Sequence, residues 1–205
     1  MDFSIISFYI GKPEKKSITM NLVTIETSRL LLKGFSPEDM NYIFDTLSKL
    51  EIMKLLGHRS EEDYIKEEFK HKKGYASYNR SFKLFLLTDN ESGIIIGRCG
   101  IHNWSEEDRR AEIGYVMVDD DFKKQGFMSE AVEAIIDYGF KDLKLNRLEA
   151  IVRVGNFPSI KLLEKNKFIK EGIMRQHTRV DAKFEDSFLY SRLFNEYEEG
   201  QPTAQ

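Results

Sequence analysis

The stretch that decides the fold runs from Ala111 to Ala131 and reads AEIGYVMVDDDFKKQGFMSEA. A hydrophobic run is followed by a short charged loop that closes on Gly126, and an amphipathic segment begins directly after it. This order predicts a strand, a loop and a helix. The first turn of a helix has N–H groups without carbonyl partners and carries a partial positive charge. The stretch therefore predicts a binding site for an anion such as a phosphate, with Lys123 and Lys124 beside it.

Length and composition indicate one folded domain. The chain has 205 residues, of which 41% are hydrophobic, so it can bury a core without disulfides or metals. We expect residues 21–198 to form this domain, residues 1–20 to be an extension that is an extra strand or disordered, and residues 199–205 to be a mobile tail. The net charge of -3 argues against a general affinity for nucleic acid, so any phosphate binding must be local.

Cysteine and histidine usage argues against metals and disulfides. Cys99 is the only cysteine and lies in an apolar run, which predicts a buried, inert thiol in a reducing compartment. The four histidines show no spacing typical of metal ligands. The apolar run near the N-terminus is too short to span a membrane. These observations predict a cytoplasmic protein without a metal.

The remaining pattern predicts alternating strands and helices. Ser36 and Ser60 each begin a typical helix start, and the turn-forming residues at 89–93 and 103–108 separate three strands of an antiparallel meander. The predicted strands are 22–35, 82–88, 93–102, 110–118, 147–154, 168–175 and 186–194, and the predicted helices are 36–50, 60–78, 127–140 and 158–166. The order β-α-α-β-β-β-α-β-α-β-β is that of a mixed α/β (α+β) domain.

This order, together with VMVDDDFKKQGFMSEA, resembles the GCN5-related N-acetyltransferase (GNAT) superfamily. The resemblance implies a twisted, mostly antiparallel sheet of about seven strands with helices on both faces. It also implies acetyl-CoA as co-substrate, with its diphosphate on a Gln/Arg-x-x-Gly-x-Gly/Ala loop. Here that loop is 123–128, in which only Gly126 matches strictly; Lys123 and Met128 depart from the pattern. Backbone N–H groups hold most of such a phosphate, so the departures have a limited effect as long as the side chains allow the turn.

Further roles follow from the same resemblance. The central strand is expected to splay from its neighbour, and the N–H of Val116 is the candidate donor to the reacting carbonyl oxygen. The segment NFPSIKLLEKNKF (156–168) resembles a second motif, in which Asn156 bonds the pantetheine and Ser159 steadies the sulfur or protonates the leaving thiolate. The expected cofactor-binding residues are Val116, Met117, Val118, Lys123, Lys124, Gln125, Gly126, Phe127, Met128, Ser129, Asn156 and Ser159.

A dedicated acid and base are not evident in the motifs. Leu163 stands where many members have a tyrosine acid, and Ile151 stands where one subgroup has a glutamate base. Glu112 is the best remaining base, because a carboxylate at the start of the central strand can accept the proton of an attacking amine. The alternative for Glu112 is a structural ion pair with Arg98 or Arg110. We take Glu112, Ser159 and Val116 as the catalytic candidates; His102 and Glu149 are weaker ones.

Several segments of the sequence most resemble those of bacterial enzymes that acetylate the N-termini of ribosomal proteins. This resemblance covers Thr27 to Phe194 and includes ETSRLLLKGFSPEDM and LNRLEAIV. It implies an N-acetyltransferase with a protein N-terminal α-amine as leading acceptor. Separately, we expect a monomer or a homodimer, the latter through pairing of edge strands. Two alternatives stay open. One is a small amine acceptor, a polyamine or aminoglycoside, which the acidic runs 106–108 and 119–121 would suit. The other is a non-catalytic acyl-CoA-binding module.

Overall fold

A computed structural model of the chain describes residues 3–8, 18–75 and 81–199. Within these ranges, nine strands form one sheet and six α-helices surround it. The strands are β1 Phe3–Phe8, β2 Ile18–Glu26, β3 Leu30–Phe35, β4 Ser81–Asp89, β5 Ile95–Ser105, β6 Arg110–Met117, β7 Arg147–Arg153, β8 Ile169–Val180 and β9 Lys183–Leu193. The helices are α1 Pro37–Thr46, α2 Lys49–Leu55, α3 Glu61–Lys73, α4 Phe127–Asp137, α5 Phe157–Lys165 and α6 Phe194–Glu199.

The sheet order is β1-β2-β3-β4-β5-β6-β7-β9-β8. The pair formed by β6 and β7 is parallel, and every other neighbouring pair is antiparallel. A parallel pair needs a long crossover, which α4 provides here. The mostly antiparallel sheet that the resemblance implied is therefore present.

Helices cover both faces of this sheet. On β4, Phe85 and Leu87 join a core with the apolar side of α4, whereas Leu86 joins a second core with Met40 of α1 and Ile52 of α2. Successive strand residues point to opposite faces, so the two cores lie on opposite sides of the sheet. The predicted mixed α/β fold is confirmed, including helices on both faces.

The two helix N-caps that the sequence predicts are present in the structure. Ser36 caps α1 in a capping box with Asp39, and Ser60 caps α3 in the same way with Asp63. The predicted second helix ends earlier than expected, because Gly74 adopts a φ of 84° after Lys73. The rest of that prediction, at 76–78, lies outside the described residues.

Three element predictions were wrong. The single strand predicted over 22–35 is two antiparallel strands, β2 and β3, joined where the Thr27 N–H donates to the Leu30 carbonyl at 2.9 Å. The helix predicted to residue 50 is interrupted at Leu47, whose backbone is extended, and Ser48 then caps α2. The short helix α6 was not predicted and is anchored by the buried Tyr197. With β1 and the extra hairpin, the sheet has nine strands rather than about seven.

The structure describes only part of each end of the chain. Of the predicted N-terminal extension, 3–8 and 18–20 belong to strands β1 and β2, and 1–2 and 9–17 are not among the described residues. Of the predicted tail, 200–205 also lies outside them. Within the described ranges, no helix combines the length and apolar character that crossing a bilayer requires.

Candidate active site

The sheet opens between β6 and β7. These strands pair only where Arg110 to Glu112 face Arg147 to Glu149, although β6 stays paired with β5 as far as Met117. Beyond Glu112 the β7-facing edge of β6 therefore has no strand partner in the sheet. Backbone groups at such an edge are free to bind a ligand. The expected splay of the central strand is thus present in the structure.

The direction of the free N–H groups follows from the register of β6. The Val118 N–H donates to the Ile96 carbonyl of β5 at 3.0 Å. Because donor direction alternates along an antiparallel ladder, the N–H of Val116 also points toward β5. The N–H groups of Tyr115 and Met117 point the other way, into the opening. We expected the Val116 N–H to face a ligand, but it faces β5. The N–H groups at the open edge belong instead to its neighbours Tyr115 and Met117.

The loop before α4 collects backbone donors at one point. Gly126 is the N-cap residue of α4 and adopts a left-handed φ of 87°, and Lys124 has a φ of 61°. In the described part of the chain, the N–H groups of 124–129 donate to no protein acceptor. Six adjacent free donors at a helix N-terminus favour an anion. The anion site remains a prediction, and these free donors are the feature of the structure that supports it.

A side-chain network ties this loop to the turn between β2 and β3. The Glu130 carboxylate accepts hydrogen bonds from Thr27 Oγ1 at 2.6 Å, from the Arg29 N–H at 2.8 Å and from Arg29 Nε at 2.8 Å. Burial opposes ionisation of this carboxyl, but the hydrogen bonds outweigh burial and lower its pKa to about 2. Arg29 Nη1 also donates to the Gln125 carbonyl at 3.0 Å. Sequence reasoning missed this network, whose partners lie about a hundred positions apart.

Other loop residues have partners of their own. The Lys123 ammonium pairs with Asp120, and the Phe127 ring lies 4.2 Å from the Arg29 guanidinium. The Ser129 hydroxyl accepts a hydrogen bond from Lys165 of α5 at 2.8 Å. The side chains thus shape the loop, while its backbone donors remain open.

Asn156 and Ser159 lie at the start of α5. The Asn156 side chain accepts a hydrogen bond from the Ser159 N–H at 3.3 Å, so it caps the helix. The Tyr115 hydroxyl makes a long hydrogen bond of 3.5 Å to the Ser159 carbonyl, which brings the open edge of β6 next to α5. Burial raises the pKa of Tyr115. Leu163 is fully buried in the core and has no acid-base role.

Glu112 is held by two neighbours on β5. Asn103 Nδ2 donates to Glu112 Oε2 at 2.9 Å, and His102 Nε2 lies 3.5 Å from Oε1. Burial would raise the pKa of this carboxyl, but the hydrogen bonds from His102 and Asn103 outweigh burial and lower it. Neither Arg98 nor Arg110, the expected ion-pair partners, contacts Glu112; they pair with other carboxylates.

A cavity of about 590 Å³ lies on the α3 side of β4, β5 and β6. Gly114, Tyr115 and Val116 form its wall on β6, and His102 lines it from β5. The cavity therefore reaches the same residues of β6 whose other edge is open. A substrate in this cavity would contact His102, which contacts Glu112.

Comparison with known proteins identifies the family. The profile described as an acetyltransferase (GNAT) domain matches residues 29–169, which extend from the turn before β3 to the start of β8. The chain belongs to the GNAT acetyltransferase family. Its relatives are N-acetyltransferases, and its enzyme class is N-acetyltransferase.

Three similar proteins show the extent of this relationship. The uncharacterized N-acetyltransferase p20 of Bacillus licheniformis is 35% identical over 175 residues, covering 85% of this chain and 98% of that protein. The ribosomal-protein-serine acetyltransferase of Escherichia coli (strain K12) is 29% identical over 125 residues, covering 61% and 65%. A structure of the spermidine/spermine N-acetyltransferase SpeG from Vibrio cholerae covers 85% of this chain and 98% of its own, at a TM-score of 0.64 and 19% identity. The last similarity shows the fold alone.

Within this GNAT domain, other sequence candidates have structural roles. Glu149 accepts a hydrogen bond from Arg147 Nε at 2.7 Å, which makes it a poor base. Burial raises the pKa of the Cys99 thiol to about 12, so Cys99 is no nucleophile. Lys167, just after α5, takes a left-handed φ of 61°. Among the described residues, no group of three or more His, Cys, Asp or Glu side chains is arranged to hold a metal ion.

Proposed function

We propose that this GNAT enzyme transfers the acetyl group of acetyl-CoA to a primary amine, with a protein N-terminal α-amine as the leading acceptor. One observation carries this proposal. The free donors of 124–129, the open edge of β6 and the cavity beside β6 form adjoining surfaces that fit a diphosphate, a thioester arm and an amine in that order.

The residues present fit acetyl-CoA, which would supply the acetyl thioester. The N–H groups of 124–129 hold the diphosphate, with the left-handed Gly126 allowing the turn. The open backbone from Tyr115 to Met117 pairs with the pantetheine arm, and Val118 follows at its end. Asn156, already at the α5 N-terminus, keeps an amide N–H₂ available to that arm while its oxygen caps the helix.

In this proposal the amine nitrogen attacks the thioester carbonyl carbon and the C–S bond breaks. The negative charge that develops on the carbonyl oxygen is stabilised by a backbone donor of the open edge, for which Met117 N–H replaces Val116 N–H. The proton lost by the nitrogen passes to Glu112 directly or through His102, and the thiolate takes a proton from the Ser159 hydroxyl or a water. Positioning supplies much of the acceleration, since a free amine is itself a good nucleophile.

We also propose a cytoplasmic location, because the one cysteine is an unpaired, reduced thiol. The two alternatives are a small amine acceptor on the same site and a module that binds acyl-CoA without catalysis. The ribosomal-protein relative supports the N-terminal acceptor over both.

One assay separates these possibilities. Purified protein is incubated with acetyl-CoA and either N-terminal peptides, spermidine or an aminoglycoside, and free CoA thiol is measured. Thiol release that requires a peptide with a free α-amine supports the proposal, and release only with small amines supports the first alternative. Tight CoA binding without release for any amine would leave only the binding module.

A further inference from the structure

The charges that line the cavity are unequal in sign. Its described lining includes Lys70 and Lys73 of α3, Lys83 of β4 and Arg98 of β5, whereas Glu67 is the one acidic residue there. Lys83 shares the face of β4 that carries Phe85, so three basic side chains, those of Lys70, Lys73 and Arg98, stand against one acidic side chain and leave a positive excess. The Lys70 side chain is 61% exposed, so salt screens part of this excess.

The single carboxylate is already neutralised by the protein. Glu67 is 4% exposed, and its Oε2 lies 3.1 Å from Lys70 Nζ and 3.6 Å from an Arg98 nitrogen. The Tyr75 hydroxyl donates to Oε1 at 3.2 Å. A buried carboxylate with these partners has little capacity left for the cation of a substrate.

The acidic runs that would suit a polycation lie elsewhere. Neither 106–108 nor 119–121 lines the cavity. Asp108 accepts from the Ser105 hydroxyl at 2.9 Å and pairs with Arg110, while Asp119 pairs with Arg59 at 2.6 Å. Asp108 and Asp119 therefore hold their own loops in place. The argument for a polyamine acceptor therefore loses its basis in the structure.

We propose that the acceptor is a peptide whose N-terminal amine is followed by acidic residues within its first few positions. This inference rests on the proposed acetyl transfer and adds the charge of the acceptor to it. The amine enters toward His102 and the open edge of β6, and the carboxylates behind it pair with Lys73 and the other basic residues of the cavity. A polyamine would instead bring several positive charges against the same lining.

The test compares peptides that share a free N-terminal residue and differ only in carrying three Asp or three Lys at the next positions, with spermidine as a third acceptor. We expect kcat/KM to be about tenfold or more higher for the acidic peptide, and this preference to fall as KCl rises. Equal or better use of the basic peptide or of spermidine would overturn the proposal.

Reversing the charge of Lys73 tests whether the preference for the acidic peptide arises in the cavity. Lys73→Glu should reduce the ratio of acidic to basic peptide kcat/KM about tenfold while leaving KM for acetyl-CoA unchanged. Lys66→Glu is the matched control, because Lys66 lies on the same helix, pairs with Glu62 and does not line the cavity. Equal ratios in the two variants would contradict the assignment.

A further measurement separates this proposal from the proposed function. If no acceptor supports thiol release, acetyl transfer fails, yet binding of the same two peptides to the CoA-loaded protein can still be titrated. Tighter binding of the acidic peptide, lost in Lys73→Glu, would support the charge preference by itself. Equal binding of both peptides would reject it.

Discussion

Replacement of Glu130 by glutamine tests whether a charge network holds the loop at 124–129. The Glu130 side chain is 16% exposed and accepts hydrogen bonds from Thr27, Ser28 and Arg29, which join the β2–β3 turn to the first turn of α4. Glutamine keeps the shape and one acceptor oxygen but loses the charge and turns an N–H₂ toward Arg29. We therefore expect the Glu130→Gln variant to fold, to be less stable and to hold 124–129 less firmly.

The size of the effect follows from the pKa of this carboxyl. The difference between the folded value of about 2 and the ordinary value of 4.5 corresponds to about 3.4 kcal/mol. Arg29 is 43% exposed, so solvent screens part of this energy, and about 2 kcal/mol is the expected loss at pH 7. Because the folded pKa is lowered, the contribution is fully present above pH 4.5 and disappears as pH falls toward 2.

The assay is urea unfolding of both proteins at pH 7 and at pH 3.5. The difference in free energy of unfolding should fall from about 2 kcal/mol at pH 7 to about 1.2 kcal/mol at pH 3.5. Glu133→Gln is the control, because Glu133 is exposed on the same helix and should change stability by less than about 0.5 kcal/mol. A difference that is the same at both pH values would refute the charge argument. A KM for acetyl-CoA raised several-fold in Glu130→Gln alone would link the network to the loop.

Three further predictions concern single positions. Gly126→Val forces a β-branched residue into a φ of 87°, so affinity for acetyl-CoA should fall at least about tenfold by titration calorimetry while circular dichroism stays native; unchanged affinity would contradict our placement of the diphosphate. Glu112→Gln should lower kcat about a hundredfold and change the pH–rate profile, and a profile identical to wild type would remove Glu112 as the base. Lys167→Gly relieves a left-handed φ of 61° and should raise the free energy of unfolding by roughly 0.5–1 kcal/mol in thermal melts, so lower stability would show that this turn is not strained.

Elements with strong local signals could be predicted from the sequence. The caps at Ser36 and Ser60, the turns of the meander and the loop closing on Gly126 all depend on residues within a few positions of one another. The predictions failed where the local signal was weak. The turn at Thr27 contains no glycine, proline or asparagine, so the two strands around it looked like one.

The candidate site was only partly predictable for a related reason. The loop at 123–129 and the segment from Asn156 to Ser159 were found as motifs, because each is a short run of chain. No short segment of chain contains both Arg29 and Glu130, because their network forms only when the β2–β3 turn packs against α4. The alternative ion pair of Glu112 with Arg98 or Arg110 is absent among the described residues, because neighbours across a sheet depend on register rather than on proximity in sequence.

By itself, the sequence determined the antiparallel meander, most of the helix starts, the loop that closes on Gly126 and, through resemblance, the GNAT family. These properties depend on short segments of the sequence, in which backbone preferences and hydrophobic periodicity determine the local structure. Only the tertiary structure decided which edge of β6 is open, which N–H groups face it and what charge the adjoining cavity carries. Those properties arise where α3, β4, β5 and β6 meet, and the register and packing between distant segments set them.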